Sequence, residues 1–256
     1  MLERHMTLEA NQRYAESPPA AERRSPLQNS SIATRRRARC RRLVGAVAVL
    51  AVPTMANAGT GEPDTQLWSE IDVEVPLRGD TSITGVGQLR LSESLSNPIF
   101  TALGADLNHK VSDEWTLGLG YRHELTPDRQ GEDIKVTQIA RVFAVWRRRF
   151  GRSTFIVRTR IDNILNASSN PWRVRVRGEY RWATPDMGIV SYLYANDEVF
   201  YELVDSEFFR NRFQAGLNLV FGTRTSLRVY YMRQDSKDQT PGAINALGLQ
   251  LAISLE

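Results

Sequence analysis

Cysteine is nearly absent. Cys40 is the only one in 256 residues, and it precedes an apolar run that ends near Val52. A chain processed beyond that run has no thiol, which excludes a disulfide scaffold, a thiolate metal site and a cysteine nucleophile. Histidine is also scarce, with three in all. No apolar stretch approaches the roughly 20 residues a membrane-spanning helix needs. Motifs that cradle phosphate, whether GxGxxG or a Walker pattern, are missing, and no stretch carries a helical period. The sequence offers no cofactor site.

The net charge of +4 is unevenly spread. Residues 1–58 hold ten arginines and four acids, and residues 59–256 hold 23 basic against 25 acidic side chains. The basic excess therefore belongs to the first segment, and a nucleic-acid partner loses its electrostatic support once that segment is set aside.

Residues 35–58 read as a secretory signal. Arg35, Arg36, Arg37, Arg39, Arg41 and Arg42 form a positive cluster, Leu43 to Val52 form a short apolar run, and Ala56-Asn57-Ala58 supplies small residues for cleavage after Ala58. Residues 1–34 are polar and aperiodic, and are expected to be a disordered leader or the product of an over-called start codon. Residues 59–256 are expected to form one domain.

That domain alternates with a period of two. Leu67, Ile71, Val73 and Val75 share one face, with Glu70, Asp72 and Glu74 on the other. Trp172, Val174, Val176, Tyr180 and Trp182 alternate with Arg173, Arg175, Arg177, Glu179 and Arg181. Period two means strands with one apolar face. About eleven strands are expected between residues 67 and 255. Short turns such as 78–80, 112–113 and 222–223 alternate with longer joins such as 92–98, 126–132 and 235–243. Apolar residues fall on both faces near 133–147 and 187–200, so the phase of those strands is open. A helical turn is conceivable only at 198–204.

A soluble sandwich also alternates, but three features favour lipid as the solvent of the apolar face. The strands are about twice the usual soluble length. The polar face carries arginines, which must meet water or paired charge. Trp115, Trp172 and Trp182 fall at strand ends on the apolar face, where an interfacial girdle would stand. The expected fold is an all-β, antiparallel outer-membrane barrel of 10–12 strands, with an even count the usual one. Its expected partners are outer-membrane lipid and, in transit, the barrel-assembly machinery.

The residues also resemble a family. Asp64-x-Gln66-x-Trp68, Gly120-Tyr121-Arg122-His123, Arg158-x-Arg160-Ile161-Asp162, Asn196-Asp197-Glu198-x-Phe200 and Asn211-Arg212 before Gly216-Leu217 occur in an order that resembles domain-of-unknown-function family 2490. These are bacterial proteins regarded as outer-membrane barrels, and the resemblance spans nearly all of 64–256. It implies location and architecture only.

The candidate lumen lining is Arg158, Arg160, Asp162, Arg173, Arg175, Arg177, Glu179 and Arg181 from two consecutive strands, with Glu70, Asp72 and Glu74 from the first. Two readings stand. The near balance of charge points to a lumen filled by arginine–carboxylate pairs, in which the acids of the first strand take part. The alternative is a positive lining that selects anions, so the unidentified partner is a small solute or another envelope component. His109 and His123 lie in phase with the apolar face, outside any His-x-Ser pattern, and are read as interfacial. No catalytic or metal site is expected; Glu70, Asp72 and Glu74 fall short of the oxygen ligands calcium takes. A lipid-modifying rim enzyme is the least favoured reading. Asn196-Asp197-Glu198 is expected to make loop and rim contacts.

Overall fold

The structure is a computed structural model that describes residues 63–92, 98–127, 133–167, 171–237 and 242–255. The leader at 1–34, the signal segment at 35–58 and the cleavage site at Ala58 lie outside the described residues.

Among the described residues eleven strands follow one another: β1 Asp64–Pro76, β2 Thr81–Leu91, β3 Pro98–Lys110, β4 Trp115–Pro127, β5 Ile134–Phe150, β6 Ser153–Ile164, β7 Trp172–Ala183, β8 Val190–Glu202, β9 Glu207–Phe221, β10 Thr225–Ser236 and β11 Ala243–Ser254. Each pairs with its sequence neighbour, and β1 pairs with β11 to close the barrel. Closure leaves no sheet edge, so the backbone satisfies its hydrogen bonds without water along the strands.

The count falls within the expected 10–12, and what is corrected is the expectation of wholly antiparallel pairing. With eleven strands β1 and β11 start at the same rim, and they pair in parallel from Asp64↔Ile244 to Glu74↔Ser254. The short connections and the end of β11 therefore lie at one rim. Asp64 and the longer connections lie at the other. β1 begins three residues earlier than the alternation at Leu67 suggests. The 198–204 segment holds no helix: β8 runs on to Glu202, and a turn follows.

Outside, the barrel is apolar. Cross-strand partners Leu107, Leu119, Val142 and Ile161 form one exposed row over β3–β6. Ile71, Leu103, Val176 and Leu247 are likewise exposed. An exposed apolar surface of this extent on a closed barrel has no counterpart in ordinary water-soluble monomers, which rarely expose large contiguous patches.

Inside, the phase of the two ambiguous strands is resolved. Phe143 on β5 faces Gly118 across the β4–β5 ladder, and a Cβ at Gly118 would collide with the Phe143 ring. Tyr230 lies over Gly248 of β11 in the same manner. Trp68, Tyr194, Tyr230 and Met232 form the largest buried cluster with Ala246. These apolar side chains point into the lumen, so they blur the alternation without breaking it. The filled interior is small enough for rings to reach across, as expected for a barrel of modest strand number.

Candidate functional site

The arginines enter the lumen because β7 turns Arg173, Arg175, Arg177 and Arg181 inward and β6 adds Arg158 and Arg160. Register opposes Arg158 to Arg177, Arg160 to Arg175 and Asp162 to Arg173. Like charges on directly opposed positions repel, so carboxylates from other strands must intervene.

Glu198 of β8 is the main one. Its side chain is 4 % exposed. Its Oε1 accepts from Arg175 Nε at 3.1 Å and from Arg175 Nη2 at 2.9 Å, and Oε2 accepts from the same Nη2 at 2.9 Å. Arg158 Nη2 reaches it at 3.4 Å and Arg212 Nη1 at 3.8 Å. Asp162 Oδ2 accepts from Arg160 Nη2 at 3.0 Å, and its Oδ1 lies 2.8 Å from Arg160 Nε as an ion pair. Glu179 has no exposed side-chain surface and serves Arg181, Arg228 at 3.4 Å and Arg177 at 3.8 Å. Asp106 of β3 holds Arg141 through Nη2 at 2.6 Å and Nε at 2.7 Å. Of these, Arg175 on Glu198 has the two-point form, the tightest of this pairing.

The acids of β1 do not join this network. Gln250 Nε2 of β11 donates to Glu70 Oε1 at 2.7 Å and to Asp72 Oδ2 at 2.6 Å, across the parallel seam. Glu74 is exposed. Pairing these acids with the arginines was the natural expectation, but the seam supplies an amide partner that the sequence pattern does not announce. Arg173, at the long-loop end of β7, comes no closer than 3.8 Å to Glu202.

Asn196-Asp197-Glu198 is also corrected. The three lie within β8, not in a loop. Asn196 and Glu198 are buried in the lumen, whereas Asp197 faces outward and accepts from Asn211 Nδ2 at 3.0 Å. The signal that could have placed Glu198 was present: it alternates with Asp197 and sits two residues from Phe200. Inward tyrosines earlier in the strand masked the phase.

Among the described residues, a larger and a smaller cavity lie within the lumen. The larger, about 650 Å³, reaches from Asn166 and Pro171 at the long-loop rim down to Asn108. The smaller, about 210 Å³, continues past Arg147 and Arg181 toward the short-turn rim. They meet at a shared wall of Asp106, Asn108, Arg141, Arg158, Arg160 and Arg177. Among the described residues, eleven basic side chains and six acidic ones line the larger cavity. The chain-wide balance of charge therefore does not hold locally.

Outside the lumen, His109 shares a hydrogen bond of 3.0 Å with Thr81 Oγ1 at the exposed end of β3. His123 sits opposite Leu103 and Gln138 on the outer face. Among the described residues no group of three or more His, Cys, Asp or Glu is placed to hold a metal ion.

A family model described as a protein of unknown function (DUF2490) matches residues 65–245, which covers all but the end of the barrel. No curated protein and no solved structure matches the chain.

Proposed function

Starting from the premise that this chain belongs to the DUF2490 family, we propose that it is an outer-membrane barrel that admits small anions into its lumen from the long-loop side. One observation carries this reading. Among the described residues, eleven basic and six acidic side chains line the cavity that reaches the long-loop ends of the strands. A low-dielectric wall that carries one excess sign concentrates ions of the other sign, and rings of arginine select anions in pores. The exposed apolar rows on the outer face support lipid as the surroundings. The short-turn rim is then periplasmic and the long loops extracellular.

The wall shared by the two cavities is the narrowest place to expect along the path, so conductance is low and is set there. The measurement is the reversal potential of the purified barrel in a planar bilayer under a potassium chloride gradient. Chloride preference is the expected result, and it shrinks as salt screens the arginines. Potassium preference overturns the reading.

A second reading is favoured by the buried cluster of Trp68, Tyr194, Tyr230 and Met232. In it the lumen is closed and the barrel acts through its longer loops on an envelope partner. A bilayer with the protein inserted and no conductance favours this second reading.

A further inference from the structure

The arginines of the lumen are held in two different ways. Carboxylates grip some of them, as Glu198 grips Arg175 and Asp162 grips Arg160. Amides orient others. Gln88 Oε1 accepts from Arg90 Nη2 at 3.2 Å and also from Arg122 Nη2. Gln234 Oε1 accepts from Arg212 Nε at 3.3 Å and Nη2 at 2.7 Å. Aromatic faces complete the support. The Arg90 guanidinium lies 3.7 Å from the Trp68 ring and 4.0 Å from the Phe100 ring, and that of Arg212 lies 4.8 Å from Trp68.

An amide or a ring fixes the orientation of a guanidinium without cancelling its charge. Glutamate would fit wherever glutamine stands, so the choice of amide matters. Arg122 has Glu124 at 2.9 Å. Arg212 has only a distant share, at 3.8 Å, in a Glu198 already engaged by Arg175. Among the described residues Arg90 has no carboxylate partner, and its buried Nε has no hydrogen-bond acceptor. The charges of Arg212, Arg122 and Arg210 all bear on Arg90, opposed by the single carboxylate of Glu124. A buried donor without an acceptor, inside a cluster of like charge, costs free energy that an oxyanion would recover.

We infer that this ring is a binding site for a compact oxyanion carrying two or more negative charges. The inference rests on the reading that anions enter the lumen, and adds that multivalent ones are retained at Arg90, Arg122 and Arg212. Three fork-shaped donors pre-set by Gln88 and Gln234 suit an anion that offers several oxygens at once. A monovalent carboxylate, with two oxygens and one charge, can bridge these arginines but offsets only one of their three charges.

Isothermal titration of the full processed chain, folded in non-ionic detergent, tests this with inorganic pyrophosphate against acetate at matched ionic strength. Pyrophosphate is expected to bind once per barrel and at least about tenfold more tightly than acetate. Gln88→Glu and Gln234→Glu each supply the missing carboxylate at unchanged size. Each is expected to weaken pyrophosphate by about tenfold or more while the unfolding temperature holds or rises. Two variants are used so that a folding failure in one leaves the other decisive. Pyrophosphate bound no better than acetate, or bound equally by parent and folded variants, overturns the inference. A barrel that still prefers chloride in the salt gradient but fails this titration loses the multivalent site and keeps the anion reading. A barrel that prefers potassium loses both.

Discussion

Glu198 shows what a single side chain does in this lumen. It is enclosed, and three arginines converge on it. Removing one partner of a buried ion pair leaves the other charges unpaired in a poor solvent, which typically costs about 3–5 kcal/mol. Glu198→Gln is therefore expected to lower barrel stability by about 3 kcal/mol or more, read from urea unfolding in detergent. Glu74→Gln, at an exposed position of β1, serves as the control and should change stability by no more than about 0.5 kcal/mol. Equal stabilities of the two variants would remove Glu198 from the centre of the network. The arginines of β6 and β7 were legible as inward residues because they alternate with Val174, Val176 and Ile161. Their partners were not, because a carboxylate is chosen by cross-barrel geometry, which residue order does not encode. Glu70 and Asp72 looked equally suitable, and the seam assigns them to Gln250.

At the scale of the strand, alternation carries the information. β4, β6, β7 and β11 show clean period-two patterns, and their position in the sheet follows directly from it. β5 and β8 do not, because Phe143 and the tyrosines 192 and 194 turn apolar rings into the lumen. The ring of Phe143 needs Gly118 opposite, a pairing visible only once register is known. The outward row Leu107, Leu119, Val142 and Ile161 supplies the test that separates lipid from water. Leu119 is 57 % exposed, so in water Leu119→Arg would be nearly neutral. Facing a bilayer midplane the same change costs about 2–4 kcal/mol. The expected outcome is a loss of that size in folding equilibria measured with phosphatidylcholine vesicles. A neutral result there would place this face in a polar medium.

For the whole molecule, closure was the least legible feature. Eleven strands require one parallel pair, and the apolar phase of a strand is the same whichever way its neighbour runs. The sequence pattern therefore allows ten, eleven or twelve, and only the β1–β11 register decides. Closure also divides the surface into an apolar exterior and a charged interior, and both the anion reading and the multivalent site depend on that division. The five tryptophans report it. Trp115 and Trp172 are about half exposed on the outer face, Trp146 and Trp182 share that face, and Trp68 is 1 % exposed within the lumen. The most direct measurement is fluorescence quenching in vesicles whose acyl chains carry bromine. It would use two variants of residues 59–256 with all other tryptophans changed to Phe, one retaining Trp172 and one retaining Trp68. The account predicts strong quenching of Trp172 and little of Trp68. Equal quenching of the two, or a polypeptide that stays folded in water and ignores the vesicles, would contradict it.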